Sequence, residues 1–422
     1  MVTEMPILGV VTRCLKLIGL SQEASLTNLL LALIYLAFIS LGLPDSLLGS
    51  AWPEIYPDFA VPVSYAGFIS MIISLGTVTS SLLSDRIISR LGTGKVTVIS
   101  GLLTALAILG FAFAPNFWVL CICSIPYGLG AGSVDVALNN YVALHFKSTH
   151  MNWLHCSWGI GATIGPYVMG VALSGGGTWQ NGYWYIALIQ LIITAILFLS
   201  LPLWKHHEQQ SSPASSEKLD ESDSSSDKQR ALKLTQTVRI KGVKEVMTCF
   251  FCYAVLEQAT GVWGGTYLKL FKGMDAASAA AFAGMLFLGV TLGRAASGFL
   301  SIRYSDQQLI RLGIILVAGG VVLLLIPGTA AITVCGLMAI GLGCSPMYPA
   351  MIHATPQIFG REHSRAVIGV QMASFNLGVF VMPPLFGLIA QHLSVGLLPI
   401  YLSLALGVFI LMQYRMSHQV SR

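Results

Sequence analysis

The sequence predicts an all-α polytopic membrane protein: twelve transmembrane helices in two pseudo-symmetric six-helix halves. Three observations predict it. Hydrophobic residues make up 55% of the 422 and charged residues only 10%, against about a quarter charged in soluble domains; mean hydropathy is +0.75. Apolar runs recur along the chain at the roughly 20-residue length that a helix needs to cross a bilayer, and they are continuous rather than alternating, which excludes a transmembrane β-barrel. The basic residues sort to one side. With the N-terminus in the cytoplasm, only Lys269 and Lys272 of the 23 Lys and Arg fall outside and Arg294 falls within a span. That is a strong positive-inside asymmetry. The net charge of +5 therefore reports topology, not nucleic-acid binding.

The spans follow in order. The stretch through Ser25 lacks a compact apolar core with a small-residue cleavage site, so the first span, 27–49, is expected to act as its own uncleaved signal. It carries Asp45 after Pro44, whose kink frees backbone groups. Asp45 either lines the outer part of a cavity or sits solvated near the outer interface. Spans two (64–84) and three (95–115) flank the loop "SDRIISRLGTGK". Span four, 117–143, holds Asp135, Asn139 and Asn140 in apolar surroundings. A carboxylate there costs several kcal/mol without a partner, water or a proton. Helical spacing puts Gly128, Ala131, Gly132, Asp135 and Asn139 on one face, small enough to admit a neighbouring helix.

Span five, 151–174, opens on "NWLHCSWGIGATIGP", with His155 on the face of Asn152 and Gly159. His155 tunes Asp135, bonds a solute hydroxyl, or simply packs. Span six covers 182–203. Residues 204–243 are Ser-rich and dense in both charges, a composition that cannot bury enough surface to fold alone. They read as a flexible cytoplasmic linker whose His206 and His207 have no matching ligand set. Span seven, 244–268, carries Glu257, and span eight, 277–301, carries Arg294. The two form a buried pair, or Glu257 contacts solute or takes a proton. Span nine is 308–327. In span ten, 329–353, Pro346 and Pro349 within "CSPMYPAMIH" are expected to disrupt the helix. Span eleven, 364–391, carries Gln371 and Asn376, which stand roughly 140° apart on an ideal helix. Span twelve covers 394–414 and returns the C-terminus to the cytoplasm. The predicted domains are thus 1–203, the linker 204–243, and 244–422.

The two halves match at a constant shift of 213 residues. "YGLG" at 127 falls on "IGLG" at 340, Gly76 on Gly289, Ser84 on Ser297, Arg90 on Arg303 and Gly165 on Gly378. Parallel six-span repeats are a transporter architecture, with the solute site near the midplane between halves. Under this shift Asp135 lands on Tyr348 and Asn140 on His353. The acid in one half and the aromatic, Pro-rich segment in the other suggest protonation on one side and solute stacking on the other.

The loop "SDRIISRLGTGK" resembles the D-R-x-x-x-R/K signature of the major facilitator superfamily, with Asp85, Arg86 and Arg90 in its charged positions. The resemblance implies an ion-paired conformational latch on the cytoplasmic face. The second-half counterpart keeps Arg303 but has Gly298 in place of Asp85, which implies a weaker latch. Within that superfamily, "GSVDVALNN", "NWLHCSWGIGATIGP" and "YAVLEQATGVWGGTYL" resemble the fucose/galactose/glucose–proton symporter branch. Symporters of this branch carry an acid in span four.

These readings single out Asp135, with Asp45 and Glu257, as proton-coupling carboxyls. A sugar offers hydroxyl edges and an apolar face, so its site wants amides, carboxylates and aromatic rings. Asn139, Asn140, His155, Gln258, Trp263, Tyr348, Gln371 and Asn376 are the solute-binding candidates; Trp158 reads as core or interface. No cofactor or metal is expected beyond the proton as coupling ion. The eight cysteines, Cys249-x-x-Cys252 among them, read as packing thiols. A P-loop and a nucleophile elbow are both lacking, so neither ATP-driven pumping nor hydrolysis is expected. The expected partners are the cell-membrane bilayer (plasma or inner) and a small solute, with the protein a monomer that binds no nucleic acid. Proton–monosaccharide symport is the leading function. A proton-driven exporter of drugs or metabolites is the alternative, which a more apolar, aromatic cavity favours.

Overall fold

A computed structural model of the protein describes residues 22–146, 148–204, 234–326 and 329–420. The N-terminal stretch with Cys14, and residues 205–233 of the predicted linker with His206 and His207, lie outside the described residues.

Eleven helices among the described residues are long and apolar enough to cross a membrane. They are α1 (Gln22–Asp45, continued by Leu47–Asp58), α2 (Tyr65–Leu91), α3 (Thr93–Ala112), α4 (Phe117–His145), α5 (Ser148–Ser174) and α6 (Trp179–Leu199). α8 (Ala276–Ala283 and Met285–Leu300), α9 (Asp306–Leu325), α10 (Ala330–Phe359), α11 (Arg361–His392) and α12 (Leu398–Val420) complete them. The twelfth predicted span is α7, which runs from Val243 to Phe271 but not as a single α-helix. Two π turns, Val255–Ala259 and Tyr267–Phe271, interrupt it. α1 outruns its predicted end because Pro44, Pro53 and Pro57 are absorbed as kinks in one continuing rod.

Helix α10 corrects an expectation. Pro346 and Pro349 were read as disrupting it, yet it is helical throughout, with Pro356 inside as well. Packed neighbours take up the backbone groups that proline frees in a membrane helix. α10 is also tied to α8, where Ser345 Oγ donates to the Val290 carbonyl at 2.8 Å. Helix starts are capped by side chains, as at Asn116 and Ser305. Asp275, outside the span, accepts from the Ser278 N–H at 2.9 Å, and that bond holds its carboxyl below the usual carboxylate range.

Each half uses the same pairings. In the first, α1 packs on α5, α2 on α4, α3 on α4 and α6; in the second, α7 packs on α11, α8 on α10, α9 on α10 and α12. The repeat has a physical cause in the glycines. Gly76 of α2 meets Gly128 of α4 backbone to backbone, and Gly289 and Gly341, their counterparts, sit in the α8–α10 interface against the opposing backbone. A side chain at any of these positions would force the helices apart. Outward-facing Leu82, Val171 and Ile302 are 70% exposed or more, as a lipid-facing surface requires. Cys249 and Cys252 are free and buried.

The halves meet through α5 on α8, α2 on α11 and α1 on α7. Among the described residues, the bonds that join them cluster at the end away from the basic loops. Lys269 pairs with Glu54, and Ser64 donates to Gln391. Gly265 of α7 lies on the Gly49 backbone of α1, and Gly67 of α2 lies on Pro384 of α11.

Candidate functional site

A cavity of about 240 Å³ lies between the halves. Its walls come from α1, α2, α3, α4, α5, α6, α7, α8 and α11, and the first half supplies most of them. Asp45 is the carboxylate on this surface. The Pro44 kink and the break at Ser46 bring it to the end of the first α1 segment, where it is exposed to the cavity. Two neutral donors hold it. Tyr127 Oη of α4 donates to Oδ1 at 2.5 Å, and Trp158 Nε1 of α5 donates to Oδ2 at 2.7 Å.

Around Asp45 the cavity is ringed by Phe111, Tyr183, Phe287 and Phe375, with Gln258 and Asn376 supplying amides from the second half. Ser70, Ser74 and Thr77 line the α2 wall at helical spacing. The Ser74 and Thr77 hydroxyls donate back to their own helix, to Ser70 and Ile73 carbonyls, so they present lone pairs inward. Tyr183 is 1% exposed, and its hydroxyl has no partner among the described residues. A buried hydroxyl of that kind calls for a solute group or a water.

The second half holds its acid differently. Glu257 sits in the first π turn of α7 and is 4% exposed. Arg294 of α8 approaches it at 4.0 Å. Its guanidinium also lies over the Trp158 ring, 5.1 Å from the centroid. The extra residue of the π turn lets Glu257 face its own half while the adjacent Gln258 faces the cavity, a known use of such turns.

The remaining predicted residues divide clearly. Asp135 does not line the cavity. Asn139 Nδ2 donates to its Oδ1 and to its backbone carbonyl, each at 2.9 Å. It stands about 12 Å nearer the basic end than Tyr127, eight residues away on the helix, and it feels the charges of Asp45 and Arg294. Asn140 is exposed near the end of α4. His155 lies edge-on to Phe38 at 6.0 Å and within electrostatic reach of Arg294. Asn152 and Asp85 have side chains outside the described residues. Arg86, Arg90 and Arg303 are exposed, and no ion pair among the described residues holds them. His353 instead pairs with Asp306 at 2.8 Å.

Three candidates lie off the cavity surface. Trp263 is fully buried and donates to the Pro383 carbonyl at 2.9 Å, so its polar atom is committed within the second half. Gln371, also fully buried, bonds Thr355 at 2.9 Å. Tyr348 stacks with Phe250, Tyr253 and Phe375 and points its hydroxyl at Met372 Sδ, 3.0 Å away, behind the cavity wall. Trp158 is the opposite case: read as core or interface, it lines the cavity and holds Asp45. Tyr127 was missed too, though it falls on the i, i+4 stripe of Ala131, Asp135 and Asn139. The aromatic rings of the cavity come from both halves: Phe111, Tyr127, Trp158 and Tyr183 from the first, Phe287 and Phe375 from the second.

A sequence model of the Major Facilitator Superfamily matches residues 34–341 and 286–419. The chain is 20% identical over 416 residues to Bypass of stop codon protein 6 of Saccharomyces cerevisiae, covering 92% of this chain and 82% of the relative. It is 27% identical over 116 residues to the uncharacterized transporter y4wD of Sinorhizobium fredii, covering 27% of this chain and 31% of that one. Among solved structures it is similar to the nucleoside transporter NupG (TM-score 0.69, 12% identity, 92% of this chain and 98% of that chain). It is similar also to an inward-facing bacterial homolog of the human lysosomal transporter Spinster (0.67, 11%, 93% and 98%). The transporter FucP in its outward conformation follows (0.59, 17%, 91% and 98%). These likenesses share a fold and do not single out the sugar-symporter branch.

Proposed function

This chain belongs to the Major Facilitator Superfamily and is a multi-pass secondary transporter rather than an enzyme, and on that premise we propose that it couples proton movement to passage of a small polar solute, a monosaccharide fitting best, by rocking its halves around the cavity. The observation that carries this reading is Asp45, a carboxylate exposed in the cavity wall and held by Tyr127 and Trp158. It has lone pairs left for a solute hydroxyl, and it can take a proton from whichever side is open. Asp135, nearer the basic end and bonded to Asn139, is the second carboxyl of the path. Of the three carboxyls well inside the spans, Glu257 faces Arg294, and no ion pair among the described residues holds Asp45 or Asp135, which favours protons as the compensating charge.

The amides Gln258 and Asn376, the hydroxyls of α2 and the unpartnered Tyr183 support a hydroxyl-bearing solute with an apolar face. The N- and C-termini are assigned to the cytoplasm from the basic-residue asymmetry, with the cell membrane as the site of action. Closure at the far end then corresponds to a cavity reached from inside. Arg86, Arg90 and Arg303, with Asp85, are assigned to a latch that engages in the opposite arrangement.

Export of drugs or metabolites is the second reading, favoured by Phe111, Trp158, Phe287 and Phe375 around the cavity. The test is the external pH of proteoliposomes as a panel of sugars is added. Sugar-dependent alkalinisation outside is the expected result. Silence across the sugars, with a pH-gradient-dependent response to lipophilic cations, replaces symport by export.

A further inference from the structure

We infer that Trp158 is a positioning residue that ties the charge state of Asp45 in the first half to Arg294 in the second, and so couples protonation to the hold between the halves. The inference rests on the proton-coupled reading only in taking Asp45 as the titrating group.

Trp158 makes two directional contacts at once. Its indole N–H donates to Asp45 Oδ2 at 2.7 Å. Its ring carries the Arg294 guanidinium 5.1 Å from the centroid, with Phe287 edge-on at 6.3 Å on the same opposing helix. Arg294 continues to Glu257. The backbones are close as well, because Gly159, the next residue, packs on the Thr291 side chain of α8. The line Asp45–Trp158–Arg294–Glu257 thus crosses from α1 through α5 to α8 and α7. An ionised Asp45 accepts from both Tyr127 and Trp158 and fixes the indole, and a fixed indole presents its face to the cation. A protonated Asp45 holds the indole less firmly, so the cross-half contact weakens and the opposite arrangement gains population.

Other groups facing Asp45 are accounted for. Tyr127 and Asp135 come from α4, Tyr183 from α6, and neutral Gln258 from α7. His155 lies one turn before Trp158 on α5. Asp135 and His155 feel the charge of Arg294, and Trp158 is the residue that bonds Asp45 and carries the guanidinium on its ring.

The test uses the full chain in lipid nanodiscs with its native cysteines replaced, and no solute. Spin labels on Leu144→Cys and Gln357→Cys, exposed positions at the basic ends of α4 and α10, report the distance between halves across pH. In the parent, acidification should shorten that distance. Trp158→Phe keeps a ring for Arg294 but removes the N–H. It should show the short distance already at neutral pH, with the population moved about tenfold or more, the size of one hydrogen bond to a charged group. Arg294→Lys keeps the charge beside Glu257 but not the flat stacked face, and should move the population the same way by less. Asp45→Asn should abolish the pH response. A Trp158→Phe protein that is monodisperse and responds to pH as the parent does overturns the inference. So does an Asp45→Asn protein with a full pH response. Because no solute is added, a failure of sugar transport leaves this test standing, and a failure here leaves the transport test standing.

Discussion

Each half of the molecule sets one acid at or beside the central cavity, and the two are held in opposite ways. Asp45 in the first half is open to the cavity and bonded only by neutral donors, Tyr127 and Trp158. Glu257 in the second half is 4% exposed and faces the cation Arg294 at 4.0 Å. A carboxylate that faces a cation has its charge compensated in place, whereas one held by neutral dipoles and open to the cavity keeps lone pairs for a solute. Two acids at comparable places in a repeat thus serve different ends. On the proposed reading, Glu257 stabilises its half, and Asp45 is the group through which proton and solute meet.

The largest effect that sharpens this contrast is on Asp45. Asp45→Asn should abolish accumulation of solute against a gradient while sparing exchange, read as counterflow in proteoliposomes. Next comes Glu257→Gln, which leaves Arg294 without its carboxylate. It should cost about 3 kcal/mol of stability, the low end for breaking a buried pair because Arg294 keeps some access. A lowered melting temperature in detergent checks this, and Glu257→Gln with Arg294→Gln should recover most of the loss.

Tyr127→Phe should act more mildly. It removes one donor from the ionised carboxylate, a bond worth about 1.5–3 kcal/mol. The pH profile of transport should therefore shift, as uptake measured across pH would show. An unchanged profile would place the coupling proton elsewhere, with Asp135 the next group to examine. The smallest effect is at the far end. Lys269 and Glu54 are each partly exposed, so Glu54→Gln should weaken closure there by about 0.5 kcal/mol. High salt should mask it, as a distance measurement at that end would show.

The fold was legible because it rests on long-range regularities of composition: apolar length, basic asymmetry and a constant repeat shift. The glycine matches at 76, 128, 289 and 341 mark helix contacts that leave no room for a side chain, so the repeat survives in the sequence. The site was less legible. Asp45, Gln258 and Asn376 were named from their types and do line the cavity. Trp263 and Gln371 were named for the same reason and are buried on partners. Residue type cannot separate these cases, because facing is set by kinks and wide turns such as the π turn at Val255–Ala259. Tyr127 and the Ser70, Ser74, Thr77 stripe did carry a readable signal, their helical spacing. Trp158 carried none, since its role depends on Asp45 and Arg294 arriving from two other helices.

The most direct measurement compares proton uptake on adding solute to proteoliposomes of Asp45→Asn and of the double variant Glu257→Gln, Arg294→Gln. Uptake lost in the first and kept in the second is the expected result. Uptake kept in the first and lost in the second contradicts the assignment and makes Glu257 the coupling acid.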